Sequence, residues 1–176
     1  MTLEIPVIET ERLILRGARW EDFDAYAAFR ADPVQTKFLG GPFEPSRAFG
    51  QLGELIGHWH LRGYGRWMIT DRADGALLGV AGPYFPVGWP EPEIAWSVFA
   101  GAEGRGIAFE AASAARDYAY KTLGWTTAIS LIGEDNTRSI KLAERLGASR
   151  EGRFVAPVGE GVPSNIWRHP APEAVA

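Results

Sequence analysis

The stretch from Glu93 to Leu123 constrains the fold more than any other part of the chain. Glu93 to Phe99 reads as a strand, Ala100-Gly-Ala-Glu-Gly-Arg-Gly106 as a glycine-rich loop, and Ile107 to Leu123 as an alanine-rich helix with Gly124 placed to cap it. Thr126 to Ile132 reads as the next strand, so the unit is a strand, a crossover helix and a parallel strand, a connection that is right-handed. Such a loop aims unpaired backbone N–H groups and the positive end of the helix dipole at one spot, which is what a phosphate or pyrophosphate requires. The same glycines would also serve a plain turn, and loop composition alone does not separate the two. A dinucleotide-binding G-x-G-x-x-G fails, because Gly104-Arg-Gly106 is followed by Ile107, Ala108 and Phe109. A G-x-x-x-x-G-K-[ST] loop fails because the chain has no Gly-Lys pair.

The flanking elements follow from periodicity and breakers. Leu13 to Leu15 suggests a first strand, and Trp20 to Arg30 a helix that Asp32-Pro33 stops. Pro45 to Leu61 places Phe49, Leu52, Leu55, Ile56 and Trp59 on one helical face, although Gly50, Gly53 and Gly57 weaken it. Arg66 to Thr70 and Ala76 to Ala81 form a hairpin around the Asp71 to Gly75 turn. Asn136 to Leu146 reads as a helix stopped by Gly147, and strands follow near Ser149 to Val155 and Ser164 to Arg168. The order predicts an α/β (α+β) domain, a mixed, mostly antiparallel sheet of about seven strands flanked by about four helices. One domain is expected over residues 1–169, with 170–176 as a flexible C-terminal tail.

Composition removes several function classes. The 176 residues carry 18 Lys and Arg against 22 Asp and Glu, a formal charge of −4, which argues against nucleic acid or an anionic membrane as partner. There is no Cys, so disulfides, thiolate metal sites and a covalent cysteine intermediate are excluded. The histidines are His58, His60 and His169, with His58-Trp-His60 reading as a helix surface, and no metal is expected. The longest charge-free stretch, Gly75 to Pro90, spans 16 residues interrupted by proline, and Met1 to Glu11 lacks a secretory pattern, so a cytoplasmic location is expected.

Glu103-Gly-Arg-Gly-Ile-Ala108 resembles the acetyl-CoA loop of the GNAT acetyltransferases, with Gly106 and Ala108 matching and Glu103 departing from the pattern. Thr10-Glu-Arg-Leu-Ile-Leu-Arg16, Trp20-Glu-Asp-Phe23, Pro92-Glu-Ile-Ala-Trp96, Asn136-Thr-Arg-Ser139 and Leu146-Gly-Ala148 follow in family order and resemble the Rim-type subgroup of ribosomal-protein alanine N-acetyltransferases. The resemblance runs from about Ile8 to about Phe154. It implies the GNAT fold, acetyl-CoA as co-substrate and direct transfer of acetyl to a primary amine in a ternary complex. The acceptor would be the N-terminal α-amine of a protein or peptide, or a small-molecule amine. The resemblance further implies backbone from Trp96 through Ser97 and Val98 to Phe99 as the hold on the pantetheine arm. Gly104, Arg105, Gly106, Ile107, Ala108 and Phe109 would hold the pyrophosphate, Asn136 the arm again, Glu93 would draw the amine proton, and Ser139 would protonate the leaving thiolate. Ala143 stands where many relatives have a tyrosine, and with Glu103 it motivates an alternative, a non-catalytic acetyl-CoA sensor. Aromatic residues offer an acceptor wall; Trp59 and Trp67 suit the core better than Tyr84, Phe85 and Trp89 on the loop. A monomer or homodimer is expected.

Overall fold

The computed structural model describes residues 4–155 and 163–175. Its strands are β1 (Ile8–Glu9), β2 (Leu13–Arg16), β3 (Trp67–Asp71), β4 (Leu77–Tyr84), β5 (Glu93–Val98), β6 (Ile129–Gly133), β7 (Ser149–Phe154) and β8 (Ser164–Arg168); the helices are α1 (Phe23–Ala31), α2 (Pro45–Arg62), α3 (Ile107–Lys121) and α4 (Thr137–Arg145). The strands form one sheet in the order β1-β2-β3-β4-β5-β6-β8-β7. Every pairing is antiparallel except β5 with β6, the crossover expected from the sequence. The eighth strand is β1, a two-residue edge whose partner positions are Leu15 and Ile14.

The sheet is covered on both faces, which the strand sequences already encode. Along β3, Trp67 and Ile69 pack with Leu13, Leu15 and the small residues Ala111, Ala112 and Ala115 of α3, whereas Met68 packs with Val80, Phe99 and the apolar face of α1 and α2. The alanines let α3 lie close to the sheet, and each large side chain removed from water contributes about 1.5–3 kcal/mol. A third cluster, Ile132, Ala143, Ala148 and Trp167, seats α4 on β6 and β8. The buried face of α2 is narrower than its periodicity suggests. Leu52, Leu55 and Trp59 are inside, but Phe49 is 56% exposed and Ile56 faces out. Phe49 instead meets Trp20 and Phe23 edge-on.

The two arginines of the first strand motif act as clamps. Arg16 donates to both Asp22 oxygens, at 2.7 and 2.8 Å, and Asp22 also accepts from the Arg19 N–H. Arg12 and Thr10 both donate to Glu110 in the first turn of α3, and Arg12 reaches the Arg105 carbonyl at 2.8 Å. The start of the chain therefore holds the glycine loop in place. At the other end, the segment expected as a flexible tail from Pro170 is docked as far as it is described: the Tyr120 hydroxyl donates to the Pro170 carbonyl, a short 3-10 turn spans Pro172–Ala174, and Val175 packs against the main core.

Candidate active site

A groove opens where β5 and β6 part. They are paired at one position, Glu93 with Ile129. In a continued parallel ladder the Leu131 N–H would go to the Ile94 carbonyl. Instead it donates to Glu93 Oε2 at 2.9 Å, and the Ile94 carbonyl accepts from the Ser130 hydroxyl at 2.6 Å. Beyond that point the two strands diverge, and the Phe99 N–H bonds back to Leu78 on β4. Alternation along β5 then turns the backbone groups of Trp96 and Val98 towards the groove.

The groove has two parts that share Trp96, Ser97, Asn136 and Ser139 in their walls. One, about 440 Å³, is lined by Val98, Gly104, Gly106, Ile107, Ala108 and Phe109, by Asn136, Arg138, Ser139, Lys141 and Arg145 around α4, and by Lys37 to Leu39 of the loop after α1. Gly104 and Gly106 take φ values of 71° and 78°, the left-handed conformation that an L side chain resists, and Gly106 precedes α3 directly. The first backbone bond of α3 runs from Glu110 to the Gly106 carbonyl, so the N–H groups of Ile107 to Phe109 have no intrahelical acceptor. Lys37, Arg138, Lys141 and Arg145 line this part together with Glu103 and Asp135, and the free N–H groups at the head of α3 are the arrangement that suits an anionic ligand.

The other part, about 330 Å³, is lined by Tyr26, Arg30, Glu54, Arg66, Tyr84, Trp89 and Glu93. Glu93 is 5% exposed, and its second oxygen accepts from the Trp89 indole at 2.9 Å. Burial pushes its carboxyl above the ordinary value, and the Leu131 and Trp89 donors, with Arg66 nearby, reverse only part of that rise. Glu93 is therefore not a solvated strand end. Burial likewise pushes the Tyr84 hydroxyl up, so it stays protonated.

The other expected residues divide. Asn136 caps α4, its side chain accepting from the Ser139 N–H at 3.3 Å, while lining both parts of the groove. The Ser139 hydroxyl accepts from the Trp96 indole at 3.3 Å, leaving its own proton free to donate. Three residues fall elsewhere. Phe99 is buried in the core against Phe29, with ring centroids 4.5 Å apart, and its N–H is used by β4. The Arg105 side chain turns to Asp71 at 3.5 Å, and the residue lines neither part. Phe85 lies under Arg62, its N–H bonded to His58, outside the cleft that Tyr84 and Trp89 do line. His58 is thus buried, donating from Nδ1 to the Tyr64 carbonyl at 2.7 Å, not on the helix surface as expected. Glu103 points to Arg138, with which it forms an ion pair, and Ala143 is fully buried on the face of α4 that packs on the sheet. No cluster able to hold a metal ion occurs among the described residues.

Several groups carry no local sequence signal. Ser130 accepts at 2.9 Å from His169 Nε2, whose Nδ1 receives Arg116 at 3.3 Å, a buried relay that ends on the Ile94 carbonyl. Arg30, Glu54 and Arg66 reach the cleft from three different elements.

Residues 12–149 match the family described as acetyltransferase (GNAT) domain. The crystal structure of an acetyltransferase from Agrobacterium tumefaciens is 34% identical, covers 97% of both chains and superposes with a TM-score of 0.85. An uncharacterised N-acetyltransferase, p20, from Bacillus licheniformis is 29% identical over 81% of this chain and 82% of its own. A ribosomal-protein-S5-alanine acetyltransferase from Vibrio fischeri shares the fold at 16% identity, covering 93% of this chain and 96% of that one with a TM-score of 0.68. The chain belongs to the GNAT acetyltransferase family, and its activity is that of an acetyl-CoA-dependent acetyltransferase.

Proposed function

We propose that the protein moves an acetyl group from acetyl-CoA directly to a primary amine, the two bound side by side in the groove. The observation that carries this reading is the junction at Trp96, Ser97, Asn136 and Ser139, where a glycine-loop anion site meets a cleft holding one buried carboxylate. The residues present fit acetyl-CoA: Gly104 to Phe109 would take the pyrophosphate on backbone N–H groups, and the Trp96 and Val98 backbone would take the pantetheine arm as an added strand. When bound, acetyl-CoA supplies the activated acyl carbon. An N–H of β5 near Trp96 would stabilise the oxyanion, and Glu93 would take the amine proton, directly or through a water. Ser139 would return a proton to the thiolate, since Ala143 cannot. The N-terminal alanine substrates of the Rim-type enzymes share one requirement with this reading, an α-amine whose proton is lost more easily than that of lysine. A cytoplasmic location belongs to this reading, and the cysteine-free chain is compatible with a reducing compartment.

Calorimetric titration with acetyl-CoA, with NAD and ATP as controls, tests the reading. Selective binding at about micromolar Kd is expected. Equal binding of the controls, or no binding, overturns it.

A further inference from the structure

The charged groups lining the 330 Å³ cleft, Arg30, Arg66, Glu54 and Glu93, do not all pair with one another. Glu93 is committed to the Trp89 and Leu131 N–H groups. Arg66 stands 3.6 Å from Glu54, with its guanidinium 3.9 Å over the Tyr84 ring. Arg30, by contrast, has no carboxylate within ion-pair distance among the described residues, although it is only 5% exposed. Its guanidinium lies 4.2 Å over the Phe43 ring and donates from Nη2 to the Leu39 carbonyl at 3.1 Å. Its Nε donor has no hydrogen-bond partner among the described residues. A buried guanidinium without a counter-ion is costly, and burial accordingly pulls its pKa below the ordinary arginine value. Glu54 attracts it from beyond ion-pair distance but is the partner of Arg66, and aromatic faces and one carbonyl do not supply the missing negative charge.

We propose that the acetyl acceptor is an amine that carries its own anionic group, an amino acid or a close acidic analogue, bound with the anion at Arg30 and its amine towards Glu93. This deepens the acetyltransferase reading above and rests on it. A guanidinium is a planar fork of donors that matches a carboxylate or phosphonate, and Arg66 adds positive charge on the same wall. A polycationic amine would bring more positive charge to a cleft that already holds an unpaired arginine. Chemically the transfer is ordinary: the amine nitrogen bonds to the acetyl carbon as its bond to sulfur breaks, the amine proton passes to Glu93, and the thiolate takes a proton.

The test uses the full chain, acetyl-CoA and thiol release as readout. Each proteinogenic amino acid is compared with its amide and its decarboxylated amine, with aminophosphonate analogues and spermidine added. Amide amines lose their proton more readily than those of the free acids, so amine basicity favours the amides. A preference for the acid therefore reports the anion. The preferred acid should exceed its amide by roughly 10- to 100-fold in kcat/KM, the range for one charge-assisted contact. Activity on the phosphonate as well would show that the site reads charge and not carboxylate shape. Arg30→Met should raise KM for the acid by a similar factor while leaving the amide's KM unchanged; a purely structural Arg30 would instead lower the melting temperature and impair all substrates alike. Should that variant not fold, the wild-type panel and Arg66→Met still decide. If acetyl-CoA binds but amides, plain amines or spermidine are preferred, or no acid is acetylated, the proposal is overturned and the acetyltransferase reading stands. If acetyl-CoA does not bind, both fall.

Discussion

Replacing Glu93 with Gln keeps the shape of the side chain and removes its charge, which isolates the proton-accepting role. In the wild type both carboxylate oxygens accept N–H bonds, from Trp89 and Leu131, at 2.9 Å each. Each oxygen keeps a second lone pair, so the carboxylate can still accept from an amine or water in the cleft. A Gln oxygen can satisfy one of these donors, but its NH2 group would face the other. An orphaned buried donor costs about 1–3 kcal/mol, offset in part because a buried charge has gone. For a chain of this size each kcal/mol moves the melting temperature by about 2–4 °C, so the shift should stay within about 10 °C. General-base loss acts on another scale, about 100- to 10,000-fold in kcat. The expected result in a thiol-release assay is that drop, with the acetyl-CoA Kd held within about threefold by calorimetry. The pH profile gives a second readout. Because burial holds the Glu93 carboxyl above its ordinary value, wild-type kcat/KM should rise with pH through a displaced acid limb, which Glu93→Gln abolishes. Trp89→Phe, which deletes one donor to the carboxylate, should move that limb further up. A Glu93→Gln enzyme within about threefold of wild type, or an unchanged acid limb, refutes the assignment.

Two other expectations concern stability. Arg16→Met should cost about 3 kcal/mol by denaturant unfolding, the low end for a broken buried pair because the Arg16 side chain remains 16% exposed. Burial pushes Asp22 up, but the Arg16 and Arg19 contacts outweigh it and hold the carboxyl low, so the pair's contribution is present above the ordinary carboxylate range and lost as pH falls through the folded value; Asp22→Asn should flatten that acid slope. His169 is pushed down to about 3 by burial and then by Arg116, so the unfolded chain binds a proton below about pH 6.5 that the folded one refuses. Stability from this source is complete above that pH and declines as pH falls towards 3, and His169→Gln should remove the slope, as read by melting temperature across the range.

The sequence was most informative where chemistry and backbone coincide. The strand, glycine loop and helix from Glu93 onward could be placed because glycine, helix capping and the long alanine-rich periodicity are all local signals. Asn136 was legible for the same reason. What could not be read are contacts between positions far apart in the chain. Glu110 is an ordinary helix-surface carboxylate until the fold brings Arg12 and Thr10 to it, some 98 to 100 residues away. Arg30 reads as the last-turn cation that favours a helix C-terminus, yet the loop after α1 folds over it and buries it. Phe85 and Arg105 were expected in the site by their neighbours in sequence. Each was carried out of it by one tertiary partner, His58 and Asp71. Periodicity also overstated the buried face of α2, because Phe49 has a partner of its own in the Trp20 and Phe23 rings and need not enter the core.

The position of the chemistry follows from where the sheet stops pairing. A sheet cannot open in its interior without leaving backbone donors and acceptors unsatisfied, and each would cost as much as a lost hydrogen bond. At this opening the Glu93 carboxylate takes the Leu131 N–H, and the Ser130 hydroxyl, backed by His169 and Arg116, takes the Ile94 carbonyl. The side chains that make the gap tolerable thus stand at its apex, ahead of the freed backbone of β5 at Trp96 and Val98. A carboxylate suits this place because it accepts in several directions at once, and burial raises its proton affinity as a consequence of the same placement. Opening the sheet therefore also places a buried carboxylate of raised proton affinity beside the gap, so under the proposed function the groove and the proton acceptor would be one structural feature.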